Sequence, residues 1–273
     1  MKKILITGNS GYIGSHLTKM LMGEYEIYGL DINPPIVPVY KHYMQDVRVV
    51  DFSMPKFDCV IHLAALVNVN ESEKKPIDYY MTNIMGTLNL LDSIQTDNFI
   101  FASTGAAESC KSAYGTSKRA AEDCVKEICS SNHTEYTIFR FYNVIGSDGI
   151  NPTNPDGLMF NLLKAKDTGT FSIFGNDYIE SWDGTCIRDY LHVNEVCDAI
   201  RTAIEKSSNK IECLGHGVGY TVTEMVNMFK FINNITFDVK YLPRREGDLA
   251  SSVLENVSPY MKTMYKITDL LKL

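Results

Sequence analysis

Residues 3–14 read Lys-Ile-Leu-Ile-Thr-Gly-Asn-Ser-Gly-Tyr-Ile-Gly, an apolar run that passes directly into a glycine-rich turn. A continuous apolar run is typical of a strand that is buried on both faces of a sheet. Residues 16–22 follow with a helical pattern that ends at Gly23, and a second apolar run over 25–30 is closed by Asp31. This order of strand, turn, helix and strand predicts a parallel sheet of the Rossmann type.

The same alternation continues through the first half of the chain, although residues 35–52 have no clear pattern. It predicts strands over 57–63, 98–103 and 136–141, and helices over 78–95 and 113–130. A stretch rich in Gly, Asn, Asp and Pro then indicates a boundary. Beyond it the pattern predicts helices near 158–168, 194–205 and 222–231, and a strand near 171–174. We therefore predict an α/β fold, with a doubly wound Rossmann-type parallel sheet over 1–145, return segments near 186–205, and a smaller α/β lobe over 146–273.

Composition and charge narrow the class of protein. The chain has 273 residues, of which 26 are basic and 33 acidic, and its net charge of −7 argues against a nucleic-acid or anionic-membrane binder. Its seven cysteines form no Cys-x-x-Cys pair, which argues against a disulfide framework and a zinc site. The N-terminal apolar run is too short for a signal peptide or a membrane helix. We expect a cytoplasmic protein that binds no metal, no nucleic acid and no membrane.

The glycine-rich turn predicts a dinucleotide site. Gly8, Gly11 and Gly14 lie between a strand and a helix, where glycines allow a tight turn and a close approach of the backbone to a pyrophosphate. The N-terminus of the helix would offer its free N–H groups to the phosphates. Asp31 could accept hydrogen bonds from the adenosine ribose hydroxyls and would repel a 2′-phosphate, which favours NAD over NADP. The alternatives are a glycine turn without a ligand and an aspartate that caps a turn.

A second candidate site combines a tyrosine, a lysine and a hydroxyl. Tyr114 and Lys118 are spaced i, i+4 and share one helix face. A nearby ammonium would stabilise the phenolate, which could then take a proton from a substrate hydroxyl. Thr104 lies at the end of a strand, at the sheet edge where open α/β sheets bind ligands, and Ser103 competes with it for the role of orienting the proton. The alternatives are a surface Tyr–Lys pair and an ordinary threonine at a strand end.

Longer stretches of the chain resemble the UDP-glucose 4-epimerase family of the extended short-chain dehydrogenases. The resemblance runs from TGNSGYIGSHL (7–17) to PRREGDL (243–249). Between them, the matching stretches are HLAALVNVNES (62–72), KPIDYYMTNIMGTLNLL (75–91), YGTSK (114–118), RFYN (140–143), IFGNDY (173–178) and DGTCIRDYLHV (183–193). The stretches in the second half are more specific than the glycine motif, which many dinucleotide enzymes share.

The resemblance implies an enzyme that uses NAD and binds a UDP-sugar in the 146–273 lobe. It implies catalysis by Thr104, Tyr114 and Lys118. It implies cofactor contacts from Gly8, Gly11, Tyr12, Ile13, Gly14, Asp31, Asp46, Val47, Leu63, Ala64, Ala65, Asn83, Ala102, Tyr114, Lys118 and Phe141. It implies substrate contacts from Thr104, Tyr114, Asn143, Leu158, Ser172, Phe174, Arg188, Arg245, Asp248 and Ser252. Two arginines suit a diphosphate, which takes charge-assisted hydrogen bonds. The alternatives are a salt bridge from Arg188 to Asp189 or another acid, and a solvated charge run over 244–246, and we expect His192 to be a core residue.

Several positions depart from the family pattern. Nine residues separate Thr104 from Tyr114, where the family usually has a longer loop, and Val67 stands where many epimerases carry a cofactor-contacting lysine. Dehydratase and decarboxylase relatives place acids directly after the catalytic threonine, whereas this chain has Gly105 and Ala106. We therefore expect epimerisation at C4 through a transient 4-keto sugar rather than dehydration.

The substrate range and the oligomeric state follow from the same resemblance. Ser252 replaces the bulky tyrosine of forms restricted to glucose and galactose, so we expect UDP-GlcNAc and UDP-GalNAc to be substrates alongside UDP-Glc and UDP-Gal. Alternatives are another NAD-dependent nucleotide-sugar modifier, such as a dehydratase, and an inactive NAD-binding module. A homodimer through the helices near 78–95 and 113–130 is implied, with a partly apolar face formed by Tyr79, Tyr80, Met81, Ile84 and Leu88. This face could instead pack on the sheet.

Overall fold

The computed structural model describes residues 1–50, 53–245, 248–262 and 265–273. The backbone divides into two compact units. The first unit comprises residues 1–141 and 197–212, and the second comprises residues 142–196 and 213–273. The first division falls between Phe141 and Tyr142, slightly before the predicted boundary. The roles assigned to the two parts from sequence stay predictions.

The secondary-structure elements are numbered in chain order. The strands are β1 (Lys3–Thr7), β2 (Glu26–Asp31), β3 (Lys41–Met44), β4 (Phe57–His62), β5 (Thr96–Thr104), β6 (Glu135–Phe141), β7 (Asn143–Ile145), β8 (Thr170–Phe174), β9 (Ile187–His192), β10 (Ile211–Leu214), β11 (Gly219–Thr221), β12 (Asp238–Leu242) and β13 (Ser251–Ser252). The helices are α1 (Tyr12–Leu21), α2 (Val69–Lys74), α3 (Pro76–Tyr79), α4 (Gly86–Ser93), α5 (Ala106–Ser109), α6 (Ala113–Ser131), α7 (Leu158–Thr168), α8 (Val193–Glu205), α9 (Val222–Asn233) and α10 (Ile267–Leu270).

A seven-stranded sheet with the order β10-β6-β5-β4-β1-β2-β3 contains the predicted strands of the first half. The pairs from β3 to β6 are all parallel. The order in which successive strands are added to the sheet reverses between β1 and β4, while the strands stay parallel. This is the Rossmann topology, so the predicted fold class is confirmed. In such sheets the carboxyl ends of the strands at the reversal form a ligand crevice.

The sheet is held by the apolar runs from which it was predicted. Leu5, Val60 and Ile138 are fully buried and pack with Ala121 and Val125 of α6 in one apolar cluster. Each large apolar side chain that is removed from water contributes roughly 1.5–3 kcal/mol to stability. The cluster therefore fixes α6 against the sheet.

The second unit has its own sheets and core. Strand β9 pairs with β7, β11 and β13, and β8 pairs with β12. Its apolar cluster joins Leu162 of α7, Phe171 of β8, and Met225 and Phe229 of α9. Helix α9 begins with a capping box, in which the side chain of the N-cap Thr221 and that of Glu224 bond each other's backbone N–H groups.

Several secondary-structure elements differ from those predicted from the sequence. The helix predicted over 78–95 is instead α3, a π-helical turn over Tyr80–Met85, and α4. Strand β3 forms inside the stretch for which the sequence showed no pattern, because it pairs with β2 as an edge strand. Helix α1 begins at Tyr12, directly after the glycine turn, rather than at residue 16. Within the described ranges, the helices are all too short or too polar to cross a membrane.

Candidate active site

The glycine turn is shaped by close backbone contacts. Gly8 has a φ of +73°, and a Cβ atom at this position would lie 2.8 Å from the backbone nitrogen of Ala64. A Cβ atom at Gly14 would lie 2.1 Å from the carbonyl oxygen of Gly8. Side chains larger than hydrogen are therefore sterically excluded from both positions. The turn consequently presents bare backbone beside the carboxyl ends of β1 and β4, as a bound pyrophosphate requires.

The groups around this turn fit a dinucleotide. Helix α1 starts after its N-cap Gly11, which has no side chain to cap the helix, and the N-terminus of a helix is suited to bind a phosphate. Asp31 ends β2, and its carboxylate accepts the backbone N–H of Ser10 at 3.1 Å and that of Asn33 at 2.9 Å. Asp31 therefore does cap a turn, and it also holds the glycine turn. This dual bonding fixes the Asp31 carboxylate beside the glycine turn.

The structure joins Thr104 to Tyr114. Thr104 ends β5, where its hydroxyl oxygen accepts the backbone N–H of Ala106 at 3.2 Å. The hydroxyl is hydrogen-bonded to the side chain of Tyr114 and favours the ionised phenolate. The Thr104 hydroxyl keeps its own proton as a possible donor. The pair links the end of β5 to the first turn of α6.

Ser103, the competing hydroxyl, has a different environment. Successive residues of a strand point to opposite faces, so Ser103 faces away from Thr104. It is 4% exposed and donates a 2.5 Å hydrogen bond to Glu122. Arg140 of β6 donates two further hydrogen bonds to the Glu122 carboxylate, at 2.9 and 2.7 Å. Glu122 and Arg140 form an ion pair that is almost fully buried below the candidate site.

Sequence reasoning missed this ion pair, although a signal was present. Tyr114, Lys118 and Glu122 are spaced i, i+4, i+8, so they follow one face of α6. A charged residue on the buried face of a helix needs a partner, and the candidate was Arg140 in the next strand. The glutamate acts on the site through Lys118, since its charge raises the pKa of that amine.

The two titrating groups of the site have pKa values that are shifted in opposite directions. Burial raises the pKa of Tyr114 to about 12, although the hydrogen bond with Thr104 lowers it. Burial lowers the pKa of Lys118 to about 7, and the charge of Glu122 opposes this shift. The amine lies 4.0 Å from the centre of the Phe101 ring. The amine thus packs against an aromatic side chain of β5, and the expected stabilisation of the Tyr114 phenolate by Lys118 stays a prediction.

A substitution of Lys118 should reveal this depressed pKa. The unfolded chain keeps the amine protonated up to about pH 10, whereas the folded chain releases the proton near pH 7, at its pKa of about 7. Lys118 therefore destabilises the fold at low pH, and this penalty fades as the pH rises from about 7 to about 10. We expect Lys118→Met to unfold at higher urea than the wild type at pH 6, with a difference that shrinks towards pH 10. An equal difference at every pH would contradict the assignment.

Asn83, predicted to contact the cofactor, is bound tightly by the protein. It lies in the π-helical turn and is 1% exposed. Its side chain accepts the backbone N–H of Leu66 at 2.8 Å and donates to the Leu66 carbonyl at 3.0 Å and to the Ser117 hydroxyl at 2.9 Å. Ser117 in turn donates to the carbonyl of Tyr114 at 2.7 Å. Asn83 thus connects the loop after β4 to the turn of α6 that carries Tyr114, and π-helical turns often occur at such functional sites.

A buried histidine extends this network to the glycine turn. One ring nitrogen of His62 bonds the hydroxyl of Thr7 at 2.7 Å, and the other bonds that of Thr87 at 3.0 Å. Thr87 donates to the carbonyl of Asn83 at 2.6 Å. Burial and the nearby charge of Lys118 lower the pKa of His62 to about 3, so the ring is neutral at physiological pH. Sequence analysis did not identify His62, since an isolated histidine at a strand end has no distinctive pattern.

The other predicted cofactor residues lie along the same sheet edge or next to it. Asp46 is bound by the guanidinium of Arg48, whose hydrogen bonds lower the pKa of the Asp46 carboxyl. Val47 is 5% exposed and packs in the apolar core. The six other predicted residues lie in three places. Tyr12 and Ile13 begin α1, Leu63, Ala64 and Ala65 directly follow β4, and Ala102 lies in β5. Phe141, which ends β6, is 8% exposed and stacks on Phe139.

Apart from Thr104 and Tyr114, the predicted substrate residues belong to the second unit, where two arginines lie near carboxylates. Arg188 of β9 is 3.6 Å from Asp248, and Arg245 is 3.9 Å from Asp156. The Arg245 guanidinium also lies 3.8 Å from the centre of the Phe174 ring. Burial raises the pKa of the Asp248 carboxyl, although the two arginines oppose the shift. These long ion-pair distances leave both guanidinium groups with donors for a diphosphate.

The remaining substrate residues are distributed over neighbouring elements of this unit. Asn143 begins β7 and donates to the carbonyl of Asp189 at 2.9 Å. Leu158 begins α7, and Ser172 lies on the same face of β8 as Phe174, two residues on. Ser252 pairs with Arg188 in the register of β13 and β9.

The alternative readings of the charged residues can now be judged. Asp189 is fully buried and accepts the backbone N–H groups of His216 and Gly217, each at 2.8 Å. The partner of Arg188 is therefore Asp248 and not the adjacent aspartate, so the part of the alternative reading that named another acid agrees with the structure. In the predicted charge run, Arg244 pairs with Asp177 at 2.7 Å, whereas residue 246 lies outside the described residues. His192 is 3% exposed and stacks on Tyr265, as expected of a core residue.

The topology, the glycine turn and the Thr–Tyr–Lys group define a dinucleotide-binding α/β protein of the extended short-chain dehydrogenase class. The chain belongs to the NAD dependent epimerase/dehydratase family, whose model matches residues 4–213. It is 32% identical over 297 residues to UDP-glucose 4-epimerase of Pasteurella multocida, in an alignment that covers 91% of this chain and 88% of that protein.

Two solved structures support the same placement. A UDP-glucose 4-epimerase from Bifidobacterium longum, solved in complex with NAD+ and UDP, has a TM-score of 0.85 and 26% identity, and the match covers 98% of this chain and 96% of that one. A UDP-Glc/GlcNAc 4-epimerase from Campylobacter jejuni has a TM-score of 0.79 and 27% identity, covering 99% of this chain and 98% of that one.

Proposed function

We propose that this chain is a cytoplasmic, NAD-dependent UDP-sugar 4-epimerase that interconverts the C4 epimers through a transient 4-keto sugar. The observation that carries the proposal is the interaction of the Thr104 hydroxyl with the Tyr114 side chain, with Lys118 on the same face of α6. The first unit would bind NAD, and the second unit would bind the UDP group. The similarity to 4-epimerases over most of the chain supports the choice of reaction.

The residues of the first unit account for the proton transfers. Thr104 donates to the Tyr114 oxygen, and this phenolate takes the proton of the C4 hydroxyl and later returns it. A bound NAD would supply hydride transfer at C4 and a positive charge at the site. Because burial raises the pKa of Tyr114 to about 12, the phenolate needs a cation near it at neutral pH. Lys118, one helical turn away, supplies a second positive charge when protonated.

The residues of the second unit account for recognition of the nucleotide. We propose that Arg188 and Arg245 bind the diphosphate, because both guanidinium groups have donors beyond their long ion pairs. We also propose that Asp248 accepts hydrogen bonds from the ribose. Asn143 would contact the diphosphate, and Leu158, Ser172 and Phe174 would hold the uridine. Ser252 would lie at the sugar, where its small side chain leaves space.

Product analysis tests the reaction. The purified chain should be incubated separately with UDP-Glc, UDP-Gal, UDP-GlcNAc and UDP-GalNAc, and each product identified by NMR. We expect C4 epimers that keep the C6 hydroxyl, together with NAD that co-purifies with the protein. A product without the C6 hydroxyl would identify a dehydratase, and bound NAD without turnover would identify an inactive module. The chain has Gly105 and Ala106, and no acid, directly after Thr104, which favours epimerisation.

Ser252 gives a prediction for substrate range. A Ser252→Tyr variant should lose kcat/KM for UDP-GlcNAc by about tenfold or more, with a smaller loss for UDP-Glc, because the larger ring occupies the space for an acetamido group. Ser251→Tyr is the matched control, since neighbouring strand residues face opposite sides and Ser251 is exposed. Equal losses for both substrates, or no turnover of UDP-GlcNAc by the wild type, would refute the assigned role.

We also propose that the chain forms a homodimer through the helical segment 76–93. Four apolar side chains of this segment are exposed, Ile77 by 72%, Tyr80 by 36%, Met81 by 46% and Met85 by 40%. Tyr79, which was assigned to the same face, is instead fully buried. Sedimentation should give twice the mass of one chain, and Met81→Asp should shift the protein towards the monomer. A wild-type monomer at micromolar concentration would exclude this proposal.

A further inference from the structure

Asn9, in the glycine turn, has a buried side-chain amide whose hydrogen-bonding groups are unused. The residue is 1% exposed, and neither Nδ2 nor Oδ1 has a hydrogen-bond partner among the described residues. Its backbone carbonyl, by contrast, accepts the Ser15 hydroxyl at 3.2 Å. A buried polar group without a partner costs about 1–3 kcal/mol, so such groups are uncommon in folded proteins.

The sheet makes specific room for this amide. A Cβ atom at Gly29 of β2 would lie 2.6 Å from the Cγ, Nδ2 and Oδ1 atoms of Asn9. The Asn9 side chain therefore packs against the backbone of β2 at Gly29, where a glycine leaves space for it. The packing therefore depends on two residues, a glycine in the strand and an asparagine above it. An apolar side chain of the same size would fill this space without the cost of an unpaired amide.

The location of the Asn9 amide indicates which ligand could form hydrogen bonds with it. Gly29 and Asp31 are two residues apart in β2, so they share one face of the strand about 7 Å apart. The next residue after Asn9, Ser10, donates its backbone N–H to the Asp31 carboxylate. Asn9 therefore lies over the same face of β2 as Asp31, the residue predicted to accept hydrogen bonds from the adenosine ribose of a dinucleotide.

We propose that Asn9 is a further cofactor-binding residue, whose amide is satisfied when the adenosine half of the dinucleotide occupies the glycine turn. This inference rests on the proposed use of NAD. The unpaired amide raises the free energy of the nucleotide-free protein, and the bound adenosine nucleotide removes that penalty through hydrogen bonds made directly or through an ordered water. Asn9 thereby increases the difference in stability between the free and the bound protein.

An Asn9→Leu variant tests the proposal with two readouts that do not depend on catalysis. After removal of bound nucleotide, the variant should melt at the same temperature as the wild type or higher, because leucine fills the space without an unpaired amide. Calorimetric titration should show NAD and AMP binding about tenfold more weakly than to the wild type. Nicotinamide mononucleotide should bind both proteins equally, since it lacks the adenosine half. Asn9→Ala provides a second variant in which the same loss of NAD and AMP affinity is expected.

The outcomes separate this inference from the proposed function. If the wild type fails to bind NAD at all, the proposed function is wrong. If the wild type binds NAD and both Asn9 variants bind it equally well, the cofactor role of Asn9 is wrong while the function stands. A lower melting temperature of nucleotide-free Asn9→Leu would also overturn the inference, because it would show that the amide is already satisfied within the free protein.

Discussion

Replacement of Tyr114 by phenylalanine is expected to lower kcat for UDP-sugar epimerisation by about 10³-fold or more, while NAD remains bound. The change removes the phenolic oxygen that would take the C4 hydroxyl proton and leaves the ring in place. The hydroxyl of Thr104 would then lose the acceptor to which it is bonded. Because α6 keeps its packing against the sheet, the fold and the glycine turn should be unaffected. The measurements are kcat with UDP-glucose and the NAD content of the purified variant.

Tyr79→Phe is the matched control for this experiment. The Tyr79 ring lies edge-on to the Tyr114 ring, with centroids 6.4 Å apart, and its hydroxyl donates to the carbonyl of Asn68 at 2.6 Å. Its loss removes a neighbouring phenol without touching the proposed relay, so we expect a rate change below about tenfold. Thr104→Val should fall between the two variants. Retention of wild-type turnover by Tyr114→Phe would exclude Tyr114 as the proton-transfer group.

The largest expected effect on stability comes from the buried ion pair below the site. Glu122→Leu should lower the free energy of unfolding by about 3–5 kcal/mol, because it leaves the guanidinium of Arg140 buried without an anion. The side chains of Glu122 and Arg140 are only 0% and 9% exposed, so water cannot replace the lost carboxylate. For a chain of this size, such a loss corresponds to a fall in melting temperature of roughly 10 °C. Urea and thermal unfolding would measure it.

Two further variants identify the source of that loss. Ser103→Ala removes a single hydrogen bond to the Glu122 carboxylate and should cost about 1.5 kcal/mol. The double variant Glu122→Leu/Arg140→Met removes both charges and should recover much of the stability, since a buried ion pair can often be replaced by apolar residues. If the double variant were as unstable as Glu122→Leu, the cost would come from packing around α6 rather than from an unpaired charge.

Local patterns in the chain were sufficient to predict much of the first unit. The apolar runs that became β1 and β4 and the glycines between β1 and α1 are recognisable because burial on both faces and steric exclusion act on neighbouring residues. The i, i+4 spacing of Tyr114 and Lys118 likewise needs nothing beyond the geometry of one helix. Strand β3, at the edge of the sheet, was not predicted, because a short exposed strand has no continuous apolar run.

The sequence by itself determined the Rossmann-type sheet, the glycine turn and the helix face that carries Tyr114 and Lys118, since each depends on residues close together in the chain. The tertiary structure alone decided which distant partners meet. It bonded Thr104 rather than Ser103 to Tyr114, paired Arg188 with Asp248 rather than Asp189, and left the amide of Asn9 unpaired above Gly29. The physical reason is that hydrogen bonds and ion pairs between separate elements depend on the packing of whole strands and helices, which no local pattern encodes.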